Sequence, residues 1–151
     1  MKWEQKVPQY GDIVRTKVSF YYHYGIYAGR DTIIQFGAPR NDGVPREQIA
    51  VCVTDEKGFL SEGGAAECAV LDRREKKERR SPEETVRVAL SRVGETGYDF
   101  LHNNCEHFVN SCVFGKSVSS FADGERRKIR EKLKRKSGKT ESKTAARFFY
   151  L

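Results

Sequence analysis

The sequence predicts an α+β domain: a small antiparallel sheet packed against two main helices, followed by a basic C-terminal tail. Three observations predict it. Short runs of β-branched and aromatic residues fill the first half of the chain. Helix caps and helical spacing begin only at Ser81. After Gly124 the apolar content gives way to a charge run. With 151 residues a single folded domain is expected. It is placed at residues 1-120, with a helical or flexible basic tail at 121-151.

Pro8, Tyr10, Gly11 and Asp12 form a turn that leads into the strand Ile13 to Thr16. Phe20 to Ala28 is a second strand and Thr32 to Phe36 a third, joined through Gly29-Arg30-Asp31 as a β-hairpin. Ile49 to Val53 and Glu67 to Leu71 are further strands, with a loop at Gly58 to Gly64. Ser81 caps a helix with Pro82 in its first position and Glu84 as the return member of a capping box. Val86, Ala89, Leu90 and Val93 recur along it at helical spacing, and Gly94 and Gly97 end it. A second helix starts from Asn104 as N-cap and stops before Gly115. Its positions Cys105, Phe108, Val109, Cys112 and Val113 form one apolar stripe.

Charge and cysteine usage narrow the function classes. The net charge is +7, but it is unevenly placed. Residues 125–151 carry 11 Lys or Arg against 3 Glu, and the remainder is nearly neutral. Met1-Lys2-Trp3-Glu4 lacks the apolar region of a secretory signal, and no stretch approaches the roughly 20 apolar residues of a membrane span. A cytoplasmic location is therefore expected, peripheral to a membrane at most. In that compartment Cys52, Cys68, Cys105 and Cys112 are expected to be thiols. They show no CxxC pair and no zinc-type spacing with histidine, and neither a metal nor a cofactor is expected. Cys52, Cys68 and Cys112 are read as buried structural thiols.

Cys105 is read differently. It occupies the first turn of its helix, where free N–H groups and the helix dipole favour a thiolate, so a lowered pKa and high reactivity are expected. A nucleophilic thiol also needs a base nearby. His107 lies two positions on, about 200° around the helix, and points away; a packing or capping role suits it. His102 sits in the preceding loop. His23 lies mid-strand among aromatic residues.

Two motifs then carry a resemblance. Asn104-Cys105-Glu106-His107-Phe108-Val109 and His23-Tyr24-Gly25-Ile26-Tyr27-Ala28-Gly29 are similar to the cysteine and histidine motifs of the lecithin retinol acyltransferase-like family. Tyr10-Gly11-Asp12-Ile13 resembles that family's opening turn, and the helix and approach from Ser81 to Cys105 resemble its bacterial members. The likeness runs from about Pro8 to Gly115. It implies the circularly permuted papain-like fold of the NlpC/P60 enzymes, with the histidine strand before the cysteine helix. It further implies that Cys105 is the nucleophile and His23 the general base. An acyl-thioester on Cys105 would form from a lipid or another acyl ester. Relatives carry a second histidine on the next strand, where this chain has Gln35 in Ile33-Ile34-Gln35-Phe36. An amide oxygen can orient an imidazole, though without charge.

Acyl transfer or acyl-ester hydrolysis is thus the leading expectation. A peptidase or amidase of the NlpC/P60 type is the alternative enzyme, and a membrane- or partner-binding module the non-enzymatic one. The basic tail suits anionic lipid head groups. No aromatic residue interleaves its charges before Phe148, so nucleic acid is not expected. Its last residues, Ala145 to Leu151, form an aromatic–apolar cluster suited to an interface. Nothing in the sequence sets an oligomeric state.

The hairpin register carries the sharpest expectation. Alternation puts His23, Gly25 and Tyr27 on one face of their strand. A three-residue loop pairs Gly25 with Gln35 and places Gln35 diagonal to His23 on that face; a two-residue loop would turn it away.

Overall fold

A computed structural model describes residues 1–60, 64–116 and 120–137. Six strands form one sheet in the order β1-β6-β2-β3-β4-β5, and every pairing in it is antiparallel. The strands are β1 (Lys2–Glu4), β2 (Ile13–Val18), β3 (Tyr21–Tyr27), β4 (Ile33–Phe36), β5 (Val51–Thr54) and β6 (Ala66–Val70). Helices α1 (Glu56–Phe59), α2 (Arg73–Glu78), α3 (Pro82–Ser91) and α4 (Cys105–Phe114) complete this unit. A helix α5 (Ser120–Ser137) belongs to a second compact unit that begins at Ser120. The α+β class expected from the sequence, sheet on helices, is the class observed.

Strand alternation gives the sheet two different faces. Ile13, Tyr24, Ile26, Ile34, Phe36, Val51 and Ala69 are buried against Val86 and Ala89 of α3 and Cys105, Phe108, Val109, Cys112 and Val113 of α4. The α4 stripe read from the sequence is entirely buried. The α3 stripe is corrected in part. Val86 and Ala89 are inside, but Leu90 and Val93 are exposed and Thr85 takes their place. Across the sheet Val14, Ile33 and Cys68 pack under Phe59 of α1.

The caps explain why α4 starts at Cys105. The Asn104 side chain accepts from the N–H groups of Glu106 and His107, at 3.0 and 3.1 Å. His107 closes the box, its Nδ1 accepting the Asn104 N–H at 3.0 Å. Gly115 ends the helix in the left-handed region, where a side chain would be strained. Arg80 covers the last turn, donating to the carbonyls of Ser111 and Cys112. At α3, Ser81 accepts from Glu84 N–H as expected, but the Glu84 carboxylate turns to Arg87 and completes no box.

β1, α1 and α2 were not expected. β1 is three residues long and pairs with β6, and its Trp3 packs against Tyr24 and Arg15. Helix α1 occupies part of the stretch read as a loop, capped by Asp55, whose side chain accepts from Gly58 N–H. Helix α2 carries a full box between Asp72 and Glu75.

Candidate active site

The β3–β4 turn sets the site. Thr32 N–H bonds to Gly29 O and Ala28 N–H to Thr32 O, with Arg30 and Asp31 both at positive φ. Three residues therefore separate Ala28 from Thr32, and Gly25 pairs with Gln35. The register is the one expected. His23 and Gln35 share a face and meet, Nε2 to Oε1 at 2.7 Å. Both are buried. The Gln35 amide nitrogen turns the other way and donates to Cys52 Sγ at 3.5 Å.

Gly25 has a role different from the spacer between His23 and Gln35 suggested by the sequence. A Cβ there would lie 2.6 Å from Ile33 Cγ2 and 2.9 Å from Phe59 Cε2. The missing side chain admits Phe59, whose ring lies against His23 at 5.0 Å between centroids and 34° between planes. Phe59 and Cys52 are site residues the sequence reading missed. Each is found only through a register or a turn far along the chain. Cys52 was read as a buried thiol, but it is half-buried and bonded to Gln35.

Cys105 reaches the same region from α4. Ala28 N–H bonds to the β4 side and Tyr27 N–H to the β2 side, at Asp12 O. Alternation then directs the Tyr24 N–H and the Tyr22 carbonyl toward the β4 side. The last β3–β4 pair is Gly25 with Gln35, so β3 runs on past β4 with that side open. The Cys105 thiol sits there, 4.0 Å from Tyr22 O, and takes a hydrogen bond from Tyr24 N–H. The thiol thus lies against the backbone on both sides of His23. The His23 ring itself lies on the Phe59 face of the sheet, where it meets Gln35.

Electrostatics correct one expectation. Burial pushes the Cys105 thiol up to about 11, against the pull of N–H groups from Tyr24, Cys105 and Glu106. Burial likewise takes His23 down to about 4, with the Gln35 hydrogen bond opposing it. The resting pair is a neutral thiol and a neutral imidazole. The helix N-terminus is present, but complete burial outweighs it, so Cys105 is not an activated thiolate in the unliganded protein. The other histidines are accounted for. His102 is exposed and bound to Asp99 at 3.0 Å, and His107 is the cap of α4.

Comparison with known proteins agrees with these motifs. A family profile described as lecithin retinol acyltransferase matches residues 6–118. The chain is 28% identical over 141 residues to lecithin retinol acyltransferase of Bos taurus, and 29% and 27% identical over 132 residues to those of Mus musculus and Homo sapiens. Each match covers 75% of this chain and 57% of the relative, so the chain spans little more than half the length of these proteins. The profile covers well over half the chain and takes in β3, β4 and the start of α4, the segments that supply His23, Gln35 and Cys105; the chain belongs to the lecithin retinol acyltransferase family.

Proposed function

We propose that this chain is a cysteine-dependent acyltransferase or acyl-ester hydrolase in which Cys105 is the nucleophile, His23 the general base and Gln35 the group that orients the base. The observation that carries this reading is the 2.7 Å contact from His23 Nε2 to Gln35 Oε1. An amide oxygen only accepts, so Nε2 carries the proton and Nδ1 keeps its lone pair. That lone pair takes the Cys105 proton as sulfur attacks the ester carbonyl. The S–C bond forms, the ester C–O bond breaks, and His23 returns the proton to the leaving oxygen. In the second half His23 removes a proton from water or another acceptor. The acceptor then attacks the thioester, and Cys105 leaves with its proton restored.

The high thiol pKa and low imidazole pKa fit a proton that moves with the attack rather than before it. N–H groups at the start of α4 and from Tyr24 stabilise the sulfur as negative charge passes through it.

Lipid as the acyl source is favoured by the family and by α5. Residues 126–136 hold eight Lys or Arg with Glu131 as the sole acid, and Ile129 is exposed among them. The aromatic cluster expected to join this contact, Ala145 to Leu151, lies outside the described residues. Among the described residues no helix is long and apolar enough to cross a membrane. Surface contact through the tail is the mode this charge favours. At about 1 kcal/mol per cation, the triple change Arg127→Gln, Lys132→Gln, Arg135→Gln should weaken binding to phosphatidylserine vesicles roughly a hundredfold at low salt. Sedimentation with vesicles measures it. Unchanged sedimentation removes the tail from membrane contact.

The test of the reaction is incubation of the whole chain with mixed phospholipids, followed by intact mass. A fatty-acyl mass increase on Cys105, released by hydroxylamine and missing in Cys105→Ala, is expected. No adduct and no released fatty acid with any acyl ester would refute lipid acyl transfer.

A further inference from the structure

We propose that Cys52 is a positioning residue of this site: its sulfur holds the Gln35 amide with Oε1 toward His23 and so selects the imidazole tautomer whose Nδ1 can accept a proton. The inference rests on the function proposed above and deepens it by naming what fixes the base.

A glutamine side chain has two orientations of its amide, related by a half-turn of a broad terminal torsion. At this site they are not equivalent. With Oε1 on the histidine, Nε2 of the ring must be the protonated nitrogen, and Nδ1 is bare. With the amide NH₂ on the histidine, ring Nε2 must be bare and Nδ1 protonated. A protonated Nδ1 has nothing with which to receive the Cys105 proton. The wrong amide orientation therefore yields an intact site with an inert base. Gln35 by itself does not decide between the two.

The decision falls to whatever meets the other end of the amide. Gln35 and Cys52 are register partners on β4 and β5, so their side chains project to the same face. Cys52 Sγ lies 3.5 Å from Gln35 Nε2. A sulfur with two lone pairs accepts that N–H whichever way its own hydrogen is turned. In the flipped amide the carbonyl would face the sulfur, and only one thiol rotamer could answer it, as a weak donor. The contact therefore favours the orientation that leaves Nδ1 bare. Phe59, packed against the imidazole at a tilt of 34°, restrains the ring from turning away from the amide.

Two substitutions separate positioning from packing. Cys52→Ser keeps an acceptor at the amide, and Cys52→Val fills a strand position with neither donor nor acceptor. In ¹⁵N-histidine spectra of the whole protein without substrate, His23 of the wild type and of Cys52→Ser should show a protonated Nε2 and a bare Nδ1. In Cys52→Val a protonated Nδ1 should appear, and kcat should fall roughly tenfold with KM unchanged. A Cys52→Val protein with the wild-type tautomer overturns the inference, as does an identical response of the Ser and Val variants. The tautomer is read without turnover. If the wild type proves to have no acyl activity, the function proposed above fails while this measurement still decides the role of Cys52.

Discussion

Cys105→Ala and His23→Gln should each lower acyl transfer by about three orders of magnitude or more, and the double variant should be no slower than either single one. In the proposed mechanism the two residues form one device: a thiol without its base attacks poorly, and a base without the thiol has no proton to take. His102→Ala is the control, because that ring is exposed and held by Asp99. Its rate should stay within about twofold of wild type. The measurement is kcat/KM on a chromogenic acyl ester, alongside circular dichroism to confirm folding. Full activity in His23→Gln, or loss of activity in His102→Ala, would move the base elsewhere.

Acid should destabilise the protein through His23. Its imidazole titrates near 6.5 in the unfolded chain and near 4 in the fold, where burial disfavours the cation. Above pH 6.5 both states are neutral, and stability from this site is fully present. Between pH 6.5 and 4 the unfolded chain binds a proton that the folded chain does not, so stability falls as the pH drops. The whole shift corresponds to roughly 3 kcal/mol. Urea unfolding at pH 7 and pH 4 measures it, and the difference between wild type and His23→Gln isolates this ring from the carboxylates. A His23→Gln protein with the same acid sensitivity as wild type would mean that the ring is solvated. The same low pKa should keep the base neutral, and the rate steady, well below pH 6.

Much of the site was legible because its determinants are local. Asn104 and Gly115 bracket α4 by cap chemistry alone, and the stripe from Cys105 to Val113 follows from helical period. The turn at Gly29-Arg30-Asp31 fixes the register that joins His23 to Gln35. What escaped was non-local. Cys52 reaches Gln35 only after β5 pairs with β4, and Phe59 reaches His23 only because α1 folds onto the face that Gly25 leaves open. Burial was the other hidden quantity. A helix N-terminus is written in the sequence, whereas the depth at which Cys105 sits depends on β3, α4 and their neighbours together. Depth reverses the sign of the pKa expectation. The box at Asp72 and Glu75 is legible too, an Asp with a Glu three residues on, but no element was placed between Leu71 and Ser81.

The turn between β3 and β4 makes the length of a surface segment a property of the candidate site. Arg30 and Asp31 touch neither His23 nor Cys105, and many substitutions at Arg30 should be silent. Insertion or deletion of one residue there is another matter, because it hands the place opposite Gly25 to a neighbour of Gln35 and turns the amide to the far face. Tolerance of Arg30 to change in composition and intolerance of the loop to change in length are two sides of one geometric fact. When relatives are aligned, a single-residue gap at this turn marks an altered active site even where every catalytic letter is retained.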